Sequence, residues 1–301
     1  MITQEKNNKD DDFVIDIVGV YNIFWASRKF IISFVSIAAV ISVMIALSLP
    51  IVYKSSAKIF PNDASVNQSS IASQFGGIAS LAGIQLGQTS PVEVTLALET
   101  MRSYKFFEEN LYDSILPELA AMKDWSSETG VIFDEEVYDI ESQTWVNGKP
   151  SPQQAFRSYS SHVEIIEDQI SKIITVTILH GSPLVAKKWI DLIIMNINDI
   201  SKNEEIEKAT KAIDYFEKKM GSSTLISVTD MFAKLTEDQH KKLMLAEIED
   251  EFMFRTIEPA LVPEMRFKPS RAKFCILFTL ISGVLSLVIV FIKDFIKRNA
   301  N

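Results

Sequence analysis

The sequence predicts an α+β fold: two membrane-crossing helices bracket an α/β domain that carries a long helical extension. Three observations predict it. Two apolar runs without a charge, 30–49 and 274–292, lie near the ends of the 301-residue chain. Each has about 20 residues, the length a helix needs to cross a hydrocarbon core of ~30 Å. Between them, 163–179 alternates as a β-hairpin does. After that, Pro183 opens a stretch free of further proline or glycine until Gly221, which reads as one long helix.

In chain order, residues 13–25 come first. They are apolar around a lone Asp16, and read equally as an interfacial segment or as an extension of the first span. The acidic leader (Asp10, Asp11, Asp12, Asp16) and the length of the apolar run argue against a cleaved signal peptide. Residues 52–60, closed by Pro61, read as a strand leaving the membrane. Residues 62–90 are rich in Ser, Gly, Ala and Gln, and fit either a loop or a short helix needing a partner surface. Pro91 opens a helix over 92–111. Residues 113–155 look irregular, with a turn at Asn147-Gly148-Lys149-Pro150. The second run of the hairpin is apolar on both faces, as in a central strand. Ser182 caps the long helix and Pro183 sits at its first position.

That helix spans about 38 residues, roughly 57 Å. Gly221-Ser222-Ser223 interrupts it, and Ser227 with Asp230 resembles a capping box that restarts it toward Arg255. A core of this size does not need a helical segment over 183–255, so the segment protrudes. Its apolar residues, among them Ile213, Phe216, Phe232, Leu235 and Leu243, need neighbours, and copies of the same chain are the candidates. Residues 256–262, with Pro259 inside and Pro263 just after, read as an edge strand returning to the membrane. Ala38, Ser42 and Ala46 in the first span, and Ser282 and Ser286 in the second, have the spacing that lets membrane helices approach closely.

Charge and chemistry exclude several classes. Residues 54–270 hold 21 Lys and Arg against 33 Asp and Glu, a net of −12, so no nucleic-acid partner is expected. The single cysteine, Cys275, lies in the second span, which leaves the loop without disulfide, thiol nucleophile or cysteine metal site. His162, His180 and His240 form no ligand pattern and read as structural or solvated. No phosphate loop, nucleophile elbow or calcium loop occurs, so neither catalytic residue, metal nor cofactor is expected. Basic residues flank both sides of both spans. The short tails, each ending basic, favour both termini in the cytoplasm.

The pattern resembles the polysaccharide co-polymerases, the Wzz-type chain-length determinants of bacterial surface polysaccharides. Phe24-Trp25 and Arg28-Lys29 look like the family's approach to its first span. Pro50 with Tyr53, Lys54, Ser55 and Ala57, ending at Pro61, looks like its first strand. Ser182-Pro183 with Ala186, Trp189 and Asn196 is similar to its helix after the central strand. Ile257-Glu258-Pro259-Ala260-Leu261-Val262-Pro263-Glu264, followed by Pro269 and Arg271, resembles its proline-rich return.

The resemblance implies a two-pass protein of the bacterial inner membrane. Residues 1–29 and 293–301 would be cytoplasmic, 30–53 and 271–292 the spans, and 54–270 the periplasmic domain. It implies a homo-oligomer that sets the length of O-antigen or a related glycan. The partners would be a separate O-antigen polymerase and the growing polysaccharide, with no catalysis by the chain itself. Nine residues after the second span leave no room for the kinase domain of the larger relatives, which points to the O-antigen type. A two-span periplasmic sensor and a membrane-anchored glycan-processing enzyme are the alternatives.

Overall fold

The computed structural model describes residues 24–62, 91–222 and 225–299. The expectations for 13–23 and 63–90 lie outside the described residues. The chain forms two compact units, 51–267 and a second made of the two ends.

In the unit made of the ends, α1 (Arg28–Ser48) and α7 (Arg271–Asn299) pack on each other. Ser42, Ala46, Ser282 and Ser286 are buried at the contact, and Cys275 Sγ lies 3.8 Å from the Ser42 carbonyl oxygen. Small side chains let the two backbones close in. The first helix stops at Ser48 rather than continuing to Tyr53, because Pro50 disfavours helical geometry before it and Leu49 is already extended (ψ 134°). The second helix continues past 292 to Asn299.

The other unit is built on an antiparallel sheet of β1 (Tyr53–Pro61), β6 (Val163–Glu167), β7 (Ile174–His180) and β8 (Phe254–Glu258). The strand order is β6-β7-β1-β8. β1 pairs with β7 from Tyr53↔His180 to Ile59↔Ile174. Ser55, Ala57 and Ile59 are buried while Lys54, Ser56 and Lys58 face out, the alternation of a half-buried strand. β7 is central, with Ile174, Val176 and Ile178 in the core, and β8 is an edge strand.

Before the sheet returns at β6, the chain forms α2 (Pro91–Arg102), a π turn (Phe107–Leu111), α3 (Tyr112–Ala120) and α4 (Pro152–His162). Hairpin β2–β3 (Met122–Ser126, Gly130–Phe133) and the short pair β4–β5 (Tyr138–Asp139, Thr144–Trp145) lie between α3 and α4. The helix expected over 92–111 breaks at Ser103, whose extended backbone and side chain cap the next turn at Phe106 N. The region 113–155 is therefore more regular than its composition suggests. Gly148 does sit in a turn, at φ +90°.

The long helix α5 (Pro183–Ser222) covers one face of the sheet with its first four turns. Val185, Ala186, Trp189, Ile190, Ile193, Ile194 and Ile197 are buried, the wide apolar stripe of a helix on a core. Ser182 Oγ accepts from Val185 N at 3.4 Å, as its position before Pro183 predicts. At Asn198 the helix leaves the sheet. The Asn198 side-chain oxygen accepts from Met253 N and Phe254 N, both at 2.8 Å, and its amide donates to Phe254 O at 3.0 Å. One carboxamide thus fills the backbone positions of a missing strand neighbour at the start of β8.

Replacing Asn198 with Ala strands two N–H groups and a carbonyl in a 3 %-exposed site. The expected loss is about 3 kcal/mol of stability, read as an earlier unfolding midpoint of the detergent-solubilised protein.

Candidate functional site

The candidate site is the surface of the helical extension. Beyond Asn198, α5 continues for six more turns and pairs with α6 (Ile226–Ile248). The pairing is antiparallel: Phe216 meets Phe232 (ring centroids 5.9 Å), Glu205 meets Lys242 (3.8 Å), and Lys202 reaches the Glu247 carbonyl (3.3 Å). On α5 the seam runs through Ala209, Ile213, Phe216 and Met220. On α6 it runs through Val228, Phe232, Leu235, Gln239, Leu243 and Ala246. Steps of three and four along each helix give the 3.5-residue repeat of a coiled coil. Ala209 and Ala246 are fully buried, small residues where the backbones close in.

This corrects part of the reading from the residues. The apolar residues of 183–255 do not all wait for another copy, because the chain folds back on itself. Ile213, Phe216, Phe232, Leu235 and Leu243 are each partly buried along the hairpin. Among the side chains left outside are Leu225 (64 % exposed), Met244 (59 %) and Ile248 (73 %). Two boundaries also move. α6 begins at Ile226, so Ser227 lies inside its first turn rather than capping it, and it ends at Ile248 rather than near Arg255. Phe252 and Met253 turn inward instead, at 6 % and 5 % exposure, and end the helix by being buried.

Where the hairpin meets the base, α2, α5 and α6 enclose a cleft of about 260 Å³. Glu93, Glu204, Glu205, Lys208 and Lys242 ring its apolar floor of Leu96, Ile197 and Met253. Glu204 pairs with Lys208 (3.5 Å) and Glu205 with Lys242. Among the described residues no three His, Cys, Asp or Glu side chains converge as a metal site.

Two histidines that are distant in sequence come together against the start of α5. The His162 and His180 ring centroids lie 5.9 Å apart, and the His180 ring sits tilted against Trp189 at 4.8 Å. Glu118 accepts from Trp189 Nε1 (2.7 Å) and from Lys188 Nζ (2.6 Å). His180 Nδ1 accepts from Ser182 N at 3.1 Å, which needs an unprotonated nitrogen. Burial, and to a lesser degree the neighbouring His162, push His180 down to about 4. His240 is solvent-exposed on α6, its ring bonded to the Thr236 carbonyl.

The residues of the proline pattern mark element ends. Tyr53 opens β1, its ring edge-on to Trp125 (5.6 Å), and Pro61 closes the strand. Pro50 follows α1, Pro183 opens α5, and Pro259 follows β8. Ala260 is buried in the core, Pro263 lies on the return segment, and Pro269 stands two residues before α7. Reading by residue missed Asn198 and Glu118. Asn198, in a run of isoleucines on the buried face of a helix, was the available signal.

Residues 14–109 match the family model described as Wzz, chain length determinant protein. That range contains Pro50, Tyr53 and Pro61, and the proline-rich return lies beyond it. A comparison with curated protein sequences finds no match. Among solved structures the chain is similar to a full-length bacterial polysaccharide co-polymerase: 12 % identity over 94 % of this chain and 99 % of that one, TM-score 0.44. It is also similar to a fragment of WzzB, a polysaccharide co-polymerase from Salmonella Typhimurium. There the identity is 11 % over 72 % of this chain and 100 % of that one, with a TM-score of 0.32.

Two outcomes test this geometry. Between pH 6.5 and 4 the unfolded chain binds a proton at His180 that the folded chain refuses. Stability is therefore full above pH 6.5 and falls by up to about 3 kcal/mol as pH drops to 4. Unfolding curves against pH should show that slope, flattened in His180→Gln. Separately, Phe232→Glu sets a carboxylate against Phe216 and should open the hairpin tip, seen as faster amide exchange there while β7 stays protected.

Proposed function

From a chain whose residues 14–109 carry the pattern of the Wzz chain length determinants, we propose a regulator of bacterial surface polysaccharide length, of the O-antigen type. It acts without chemistry of its own, as a homo-oligomer beside a separate membrane polymerase and its growing glycan. α1 and α7 cross the inner membrane, both termini are cytoplasmic, and the unit 51–267 is periplasmic.

The family match carries this reading. Other features support it. α1 and α7 are long and apolar enough to span a bilayer, and they turn Ile32, Val40, Met44, Leu280 and Val284 outward. α5 has 40 residues and is about 60 Å long, which lets a hairpin reach well beyond the sheet. Met244 and Ile248, one turn apart on α6, leave apolar surface outside the hairpin seam, and we assign them to contacts between copies.

Deleting the gene in its native strain is expected to replace the preferred glycan length on a gel ladder with a broad distribution, and the wild-type gene to restore it. The pair Met244→Glu and Ile248→Glu should lower the oligomer mass in detergent and restore the ladder poorly. A ladder unchanged by deletion overturns the function.

A further inference from the structure

We propose that the return segment 261–267, with the start of β1, forms an edge that binds the headgroups of anionic phospholipids. The inference rests on the reading of α1 and α7 as membrane spans.

The segment is held in a fixed pose by two hydrogen bonds to the start of β1. Ser55 Oγ donates to the Leu261 carbonyl at 2.7 Å, and Phe267 N donates to the Val52 carbonyl at 2.8 Å. Ala260, just before it, is buried in the core. With the backbone pinned this way, Leu261, Met265 and Phe267 are left 69 %, 82 % and 47 % exposed, and Ile51 beside them 37 %. Lys54 Nζ sits 5.3 Å from the centre of the Phe267 ring.

Chain connectivity limits where this edge can be. Ile51 follows the end of α1 by three residues, and Phe267 precedes the start of α7 by four. Four residues reach at most about 14 Å, so the edge stays within reach of the interfacial layer next to the hydrocarbon. Exposed Met, Leu and Phe are costly in water and favourable at that depth.

The charge is the second observation. The domain is strongly acidic, yet from Pro259 to Lys273 the chain holds Arg266, Lys268, Arg271 and Lys273 against the single acid Glu264. Lys54 adds a further cation on β1. Apolar side chains that dip below the headgroups, with Lys and Arg stems extending up to the phosphates, is the pattern of interfacial binding. Each such cation contributes about fivefold in affinity for an anionic surface. The basic edge also offsets the repulsion that an acidic domain meets above such a surface.

The test uses the full-length protein with Cys275→Ser, reconstituted in vesicles of phosphatidylcholine alone or mixed with phosphatidylglycerol. A spin label is placed at Met265→Cys, and at Leu261→Cys in a second variant. Reference labels stand at Ile281→Cys inside α7 and at Ile170→Cys on the β6–β7 turn, which is 96 % exposed. Collision rates with oxygen and with a water-soluble nickel chelate report depth. The label at 265 is expected to meet the chelate several-fold less often than the label at 170. It should sit deeper when phosphatidylglycerol is present, and Arg266→Gln with Lys268→Gln should abolish that added depth. A label at 265 as open to the chelate as that at 170, with 281 shielded, overturns the inference and leaves the spans standing. A label shielded from both colliders in both lipids marks a protein contact, such as a second copy, and also overturns it. A label at 281 open to the chelate removes the spans and the inference together.

Discussion

The Asn198 carboxamide holds the point on which the rest of the domain depends. Before it, α5 is a core helix on a sheet; after it, the same helix is one arm of a solvent-exposed coiled coil. The far end of that coiled coil must return to the sheet as β8. Asn198 receives it, through the backbone of Met253 and Phe254. Asn62, just past β1, adds to the junction: its backbone N–H donates to the Met253 carbonyl at 2.9 Å and its side chain to that of Glu251 at 2.7 Å. Both ends of the hairpin are therefore tied at one buried level, and a buried amide with every group satisfied gives that junction one geometry.

Below the junction, the core is stabilised by the sheet face and the first turns of α5. Trp189 is the largest fully buried side chain there, and full burial of such a ring contributes about 3 kcal/mol. Its indole N–H needs a partner, which Glu118 supplies from α3. The same carboxylate holds Lys188, so α3 and α5 are joined by one charge-assisted pair of bonds at the end of the helix nearest β7. His180 completes the arrangement by accepting from Ser182 N. The base is thus rigid at both ends of α5's buried half, and the hairpin extends from it as a lever.

Much of this was legible in the residues, and the parts that were not share a cause. Strands β1, β6 and β7 show in the alternation of their side chains, and the start of α5 in Ser182-Pro183. The same Ser-Pro signal opens α4, where Ser151 accepts from Gln154 N at 3.3 Å. It went unread because PQQAFRSYSSH has too few apolar residues to announce a helix. The break at Ser103 turns on a single side chain competing for the backbone. In the candidate surface, apolar residues at coiled-coil spacing were visible, but a 3.5-residue repeat does not say whether the partner helix is in the same chain or another. α5 runs through Gly221 to Ser222, and its antiparallel pairing with α6 places Phe216 on Phe232.

By itself the sequence determined the features that local spacing and composition set: the two apolar helices near its ends, the acidic stretch between them, the hairpin strands and the length of α5. Only the tertiary structure decided that α5 and α6 pair with each other, that His162 and His180 meet, and that Met244, Ile248 and Met265 are among the apolar groups left outside. Periodicity sets which residues share a face of one helix or strand. Which face meets which is set by packing between elements far apart in the chain, and no local pattern encodes it.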